Sequence, residues 1–472
     1  VSLLLRNGRV DGVVGDLLID GGRIAAIGAD LVGDEVVDLD GRHVLPGLWD
    51  EHVHLSQHAM ARRRVDLSGA GSAAEAARIM GVAERQADGT PLVGYGFRDA
   101  LWADAPDVAL LDASVAEPAV LVGGDLHCVW LNSAALERFG HAGHPTGLLR
   151  EDAAYSVSAA LRDVPDEVLD AWVAEAAASA AERGVVGVVD LEMADNFAVW
   201  GRRMAAGFGS LRIDAGVYTD RLDAAIAAGH RSGESLGRLL TVGPFKVLID
   251  GSLNTRTAYC VDEYPGVHSH GQLTVQPDDL LALLRKATAA GFVPAVHAIG
   301  DEANRLALDA FEALGVGGRI EHAQLLREAD YARFAELDVA ASVQPEHAMD
   351  DREVADRYWA GRTGRSFVLR SLLDAGATLL LGSDAPVAPL DPWVTIAAAV
   401  TRSRDGREPW HPEQGITVAE AISASTRTTV AVGQPADLVM VEVHPADAPG
   451  DELRRMPVAG TLLSGNWTYS SL

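Results

Sequence analysis

The sequence predicts an α/β protein: a (β/α)8 TIM-type barrel with a flanking β-sandwich built from both termini and an insertion after the first barrel strand. Three observations predict it. Helix-like and strand-like segments alternate through the middle of the chain at roughly 25 to 40 residue spacing, the pattern of a parallel sheet covered by helices. Eight apolar runs qualify as strands. Both ends, by contrast, are β-branched and punctuated by glycine, without helical periodicity.

Residues 1–46 (LLLRNGRV, GDLLIDGGRIAAIG, DEVVDLDGRHVLPG) read as short strands joined by Gly and Asp-Gly turns. Residues 433–472, with PADLVMVEV and PVAGTLLSGNWTYSSL, read the same way, so the two ends are expected to complete one sandwich. Between them, residues 47–432 supply the barrel. Its strands are HVLPGLWDEHVHL, GVVGVVDLE, LRIDAGVY, LTVGPFKVLIDG, FVPAVHAIGD, GRIEHAQL, VAASVQP and TLLLGSDAP, most of them preceded by a helical segment that stops at Gly or Asp. No G-x-G-x-x-G follows the first strand and no G-x-x-x-x-G-K-S/T occurs, which removes the main support for a nucleotide-binding doubly wound sheet. Residues from about 56 to 165 are too many for one βα connection and read as an inserted subdomain. An insertion at the carboxyl end of a barrel strand is expected to overhang the active-site face and shape a substrate pocket.

Composition bounds the function. Of 472 residues 48% are hydrophobic and 22% charged, as in a globular chain, and the net charge of −28 repels phosphate backbones and anionic lipid surfaces. Nucleic-acid and membrane partners are therefore disfavoured, and a small-molecule substrate is expected; a homodimer stays open. Two distant cysteines, Cys128 and Cys260, make neither a disulfide framework nor a Cys-rich zinc site. The apolar start breaks at Arg6, too early for a signal-peptide core, so a soluble, cytoplasmic protein is expected.

Metal-competent side chains recur where the predicted barrel strands end. His52 and His54 close the first strand, and residues i and i+2 of a strand share a face, so both imidazoles can converge on one ion. The motif alone is weak: a second pair, His268 and His270, lies in a Pro/Gly-flanked loop. What strengthens it is His297 at the end of the fifth strand, His322 at the sixth and Asp384 at the eighth. Lys246 lies inside FKVLID on the fourth strand, where a buried ammonium is costly unless paired. Two outcomes stay open for it: snorkelling or pairing with Asp250 or Glu192, or reaction with carbon dioxide to a carbamate able to bridge two cations.

These residues lie in segments that resemble the amidohydrolase superfamily, and within it amidohydrolase family 3, the YtcJ-like metal-dependent hydrolases. The resemblance is carried by PGLWDEHVHL, LVGGDLHCVWLNSAAL, HPTGLLRE, FKVLIDGSLNTRTA, VHAIGDEA, RIEHAQLL, VQPEHAMDD, LRSLLDAGATLLLGSDAPVAPLDPW and PADLVMVEV, in family order from about residue 40 to the end. It implies one or two divalent metals per chain, usually zinc. His52, His54 and Asp384 would hold the more buried ion, His297 and His322 the second, and carboxylated Lys246 would bridge them. It also implies substrate contacts at His127, Asp250 and Arg256. The chain departs from the family pattern at Trp49 and Glu51, at Asn254–Thr255, and in a shortened STRTTVAVGQPADLV.

The expected reaction is hydrolysis of a non-peptide C–N bond of the amide type. A metal-acidified water attacks the carbonyl; Asp384, with His322 beside it, moves the proton from that water to the departing amine. His127 or Arg256 would steady the oxyanion. Three alternatives stay open: an ester or lactone hydrolase, a mononuclear deaminase and a catalytically silent, metal-stabilised binding protein. A deaminase of this superfamily places Glu three residues after the fifth-strand His, where this chain has Gly300. Trp49, Phe97, Trp102 and Trp130 are apolar residues that a pocket or a core could use.

Overall fold

The computed structural model describes the chain except residues 68, 86–88, 98, 100–101, 124–127, 151, 162–163 and 254–255. Eight barrel strands form in the predicted order: β1 (Leu48–Val53), β2 (Val185–Asp190), β3 (Arg212–Tyr218), β4 (Leu240–Leu248), β5 (Pro294–Ala298), β6 (Gly318–His322), β7 (Val339–Val343) and β8 (Leu379–Leu381). Each pairs in parallel with its neighbour from β1 through β8. Parallel strands beneath helices are buried on both faces, and β2, β7 and β8 accordingly read as largely aliphatic runs, every residue of β2 being buried; β1 (LWDEHV) and β6 (GRIEH) instead carry buried polar side chains. The ring is completed where β8 meets β1: the Asp384 N–H donates to the His52 carbonyl at 2.7 Å, and the His54 N–H donates to the Ala385 carbonyl at 2.8 Å. That register sets His52, His54 and Asp384 side by side.

The connecting helices bury one apolar stripe each. In Asp301–Leu314, Ala303, Ala307, Leu308 and Phe311 recur at helical spacing and join the main core. This helix ends at Gly315, whose left-handed backbone (φ +62°) closes the last turn onto the Phe311 and Glu312 carbonyls.

One expected strand divides. HVLPGLWDEHVHL, expected as a single run, is two strands: His43–Pro46 pairs with Leu438–Val441 in the terminal sheet and only Leu48–Val53 enters the barrel. Gly47 is the joint, and it approaches Val186 so closely that a Cβ there would lie 2.4 Å from that side chain. The terminal strands form one mixed eight-stranded sheet in the order Asn466–Ser470, Val458–Leu463, Leu438–Val441, His43–Pro46, Leu3–Val10, Val13–Asp20 and Arg23–Gly28, with Glu35–Asp38 also against Leu3–Val10. Its far ends close on a shared core: Leu17, Ile19 and Ile24 pack with Leu438, Met440 and Leu462, and Arg23 bridges Pro435.

The chain divides into two compact units, Val1–Gln57 with Ala176–Leu472, and His58–Glu175. The second unit has its own five-stranded mixed sheet, ordered Leu148–Arg150, Cys128–Leu131, Ala119–Gly123, Leu92–Phe97 and Arg64–Asp66. Phe97 and Trp130 are core residues of that unit and Trp102 packs against them. Trp49 is likewise buried in the first unit, so none of the four aromatics stands free. Among the described residues no helix is long and apolar enough to cross a membrane.

Candidate metal centre

Side chains from strands far apart in sequence meet inside the barrel. His52 on β1, His322 at the end of β6 and Asp384 just after β8 bring one ligand atom each within 4.8 Å of one another. His54 Nε2 lies 3.3 Å from Asp384 Oδ1, and His52 Nε2 lies 3.5 Å from the same oxygen. Lys246 on β4 is buried, with Nζ 3.5 Å from His52 Nε2. His322 (φ +78°) and Asp384 (φ +57°) both hold left-handed backbone, which costs non-glycine residues about 1–3 kcal/mol each and is tolerated where packing over-determines it.

The imidazoles are held in defined tautomers. His52 Nδ1 donates to Glu321 Oε2 at 2.7 Å and His322 Nδ1 donates to Gln344 Oε1 at 2.8 Å, leaving each Nε2 lone pair facing the cluster. Burial and the Lys246 charge push His52 down to about 4, and burial holds His322 well below the usual imidazole range, so both are neutral near pH 7. Burial works against ionising Asp384, yet His52, His54, His322 and His347 hold its carboxyl well below the usual carboxylate range. Two neutral imidazole nitrogens and an ionised carboxylate are the donor set of a divalent cation such as zinc, and they fit one here. His54 adds a buried Nδ1 without a partner. Burial pushes the Lys246 amine down to about 8, against the attraction of Glu321 and Asp384. Only the neutral amine or its carbamate is compatible with a cation at this place.

Beneath the cluster runs a chain of alternating charges. Arg427 grips both Glu51 carboxylate oxygens, at 2.7 and 2.8 Å, and Asp214 at 2.6 Å. Glu51 accepts from Arg319 at 3.1 Å, Arg319 donates to Glu321 at 2.5 Å, and Glu321 accepts from His52. Glu51, Arg319 and Glu321 are buried, so each charge depends on its neighbours for compensation.

The remaining expected residues are placed as follows. His297 stands edge-on to His322, ring centroids 4.5 Å apart, with Nε2 turned to the Gly251 carbonyl at 3.3 Å and Asp250 Oδ1 at 3.4 Å. Asp250, expected to touch substrate, is buried with its carboxylate accepting backbone N–H groups of Tyr259, Ile299 and Gly300. It braces the β4 and β5 loops. Arg256 is exposed, its guanidinium 5.4 Å from the Tyr358 ring centroid. His127 and the Asn254–Thr255 departure lie outside the described residues. Lys246 pairs with neither Asp250 nor Glu192; Glu192 is taken up by the Gln57 amide groups. His268 is exposed and pairs with Glu263, away from the cluster.

Reasoning from sequence passed over Glu321, Gln344, Arg319 and Arg427, and also His347 and Gln324. The available signal was local: Glu321 directly precedes His322, and Gln344 and His347 follow β7 at the same barrel end.

Fold and cluster together define a parallel barrel with a candidate metal centre at the carboxyl ends of its strands. The chain belongs to the amidohydrolase family, whose model matches residues 35–469. The putative amidohydrolase YtcJ of Bacillus subtilis (strain 168) is 28% identical over 483 residues, 92% of this chain and 90% of its own. The N-substituted formamide deformylase of Arthrobacter pascens is 26% identical over 523 residues, 96% and 94% of the two chains. The crystal structure of an uncharacterized metal-dependent hydrolase from Pyrococcus horikoshii OT3 matches with a TM-score of 0.81 at 25% identity, over 96% of this chain and 99% of that one.

Proposed function

We propose that this protein is a metal-dependent hydrolase of a non-peptide, amide-type C–N bond in a small molecule. The observation that carries the reading is the convergence of His52, His322 and Asp384, with both imidazoles neutral and oriented by Glu321 and Gln344. His52, His54 and Asp384 would hold a divalent ion, with His297 and His322 for a second and carboxylated Lys246 between them. When bound, such an ion supplies a water acidified enough to act as nucleophile near neutral pH. Asp384 would accept the proton of the attacking water and return it to the departing nitrogen as the C–N bond breaks. The formamide deformylase, similar over nearly the whole chain, makes N-substituted formamides the first substrates to try.

Amide hydrolysis is favoured over deamination by the residues after β5. Gly300 offers no carboxylate, Asp301 is buried and accepts from the Val261 N–H and Arg365, and Glu302 pairs with Arg305. No acid in this turn is left to protonate a ring nitrogen.

The test is metal analysis per chain, mass analysis of Lys246 for a carboxyl adduct, and a turnover screen of N-formyl and N-acyl amines. Bound divalent metal with chelator-sensitive amine release is the expected outcome. A fully metallated sample inactive on amides refutes the assignment.

A further inference from the structure

His347 lies in the first turn of the helix Pro345–Tyr358, immediately after β7, and is 5% exposed. Its ring stacks over His322 at 6.3 Å between centroids, and its Nε2 is 3.8 Å from Asp384 Oδ2, beyond hydrogen-bond reach. That Nε2 is buried without a hydrogen-bond partner among the described residues. On the other side of the ring, Gln324 Nε2 approaches Nδ1 at 3.4 Å. An amide nitrogen donates, so Nδ1 is the acceptor and the ring proton sits on Nε2. Gln324 is itself fixed through its backbone carbonyl, which accepts from the Phe367 N–H at 2.7 Å. The outcome is an N–H donor, held from behind and aimed beside the carboxylate that moves the proton. A buried donor without an acceptor is costly, and the acceptor that chemistry at this place creates is the carbonyl oxygen of a substrate as it gains negative charge.

We propose that His347 is a catalytic residue of this site: its Nε2–H donates a hydrogen bond to the scissile carbonyl oxygen, and Gln324 is the positioning residue that fixes its tautomer. The proposal rests on the hydrolase reading above. No covalent step is involved; the hydrogen bond shortens as the carbonyl carbon becomes tetrahedral and weakens when the C–N bond has broken. In this tautomer His347 is a donor to substrate and not another metal ligand, because the nitrogen on the Asp384 side carries the proton.

The test uses the full chain loaded with zinc and three variants, His347→Phe, His347→Gln and Gln324→Met. Three readouts are needed: steady-state kinetics on an N-substituted formamide, zinc affinity by competition with a chromophoric chelator, and inhibition by methylphosphonate, whose anionic tetrahedral oxygens mimic the attacked carbonyl. His347→Phe is expected to lower kcat about 100- to 1,000-fold with little change in KM, the loss typical of a deleted oxyanion donor. Its zinc affinity stays within threefold of the parent and its methylphosphonate inhibition weakens at least tenfold. His347→Gln, which keeps an N–H donor, recovers part of kcat, and Gln324→Met loses kcat with zinc retained. A tenfold loss of zinc affinity in His347→Phe, or kcat within threefold of the parent, overturns the proposal. A zinc-loaded parent without turnover overturns the hydrolase reading itself, and this role with it.

Discussion

Replacing Glu321 by Gln keeps the shape of the side chain and removes what its position demands. One carboxylate oxygen accepts from His52 Nδ1 and the other from Arg319 Nε, and the residue is fully buried. An amide has a single acceptor oxygen. If that oxygen serves His52, the NH2 faces the Arg319 N–H, donor against donor; if it serves Arg319, His52 loses its orientation. Breaking a buried ion pair costs about 3–5 kcal/mol, and the low end applies here because Arg319 keeps Glu51, the Glu51 carbonyl and Ser342. The expected stability loss is therefore about 3 kcal/mol. Loss of the partner behind a metal-binding His lowers metal affinity about 10- to 100-fold, so zinc binding weakens by that factor. Thermal melts of the chelator-treated protein read the first quantity, and titration against a chromophoric chelator reads the second. A Glu321→Gln protein that melts with the parent and binds zinc within twofold of it would refute the account of both the ion chain and the His52 tautomer.

Arg427→Met strips the cation from Glu51 and Asp214 while keeping apolar contact with Trp49, over whose ring the guanidinium sits at 3.7 Å. It is expected to lower the melting temperature by an amount matching about 3 kcal/mol, and a neutral result would mean the two carboxylates are compensated otherwise. Gly300→Ala places a Cβ 2.0 Å from the Tyr259 carbonyl, a backbone atom that cannot swing aside, and should cost about 1–3 kcal/mol or more; Gly201→Ala, in an exposed helical position with nothing within 4 Å, should gain up to about 1 kcal/mol. Equal melts for these two variants would contradict the packing described around β5. Glu420 supplies a pH test. The Thr417 backbone N–H, the Arg370 guanidinium and the Thr417 hydroxyl push its carboxyl down to about 2 from an ordinary 4.5. Its stabilisation is then complete above the unfolded value and lost as pH falls towards the folded one, so the melting gap to Glu420→Gln should hold from about pH 8 to 5.5 and narrow by about pH 3. A gap that widens on acidification would reverse the sign of the coupling.

The barrel was legible because most of its strands carry a buried apolar run, and most end in a polar side chain and follow a helix with a Gly or Asp stop. The boundary of the first was not. Pro46-Gly47 reads as part of a continuous run, and only the approach to Val186 shows why the chain turns there. Among the site residues, those defined by strand position, His52, His54, His322 and Asp384, stand close together in the structure. Glu321, Arg319 and Arg427 escaped notice, and Glu51 stood out only as a departure from the family pattern: beyond the adjacency of Glu321 to His322, no local pattern announces that the buried charges at 51, 319, 321 and 427 will meet. Asp250, which the resemblance offers as a substrate contact, has a carboxylate that accepts backbone N–H groups of Tyr259 and Gly300, a pairing that no sequence pattern shows.

The seam between the two chain ends also sets a timetable for the growing polypeptide. His43–Pro46 waits for Leu438–Val441, which emerges about 390 residues later, a delay of roughly 20 to 80 s at ordinary rates of synthesis. Throughout that interval one edge of the first hairpins stands open while the barrel closes downstream. The strand that covers it comes after all eight barrel strands, so a chain cut short before Leu438 would carry a formed barrel and an uncapped, adhesive sheet.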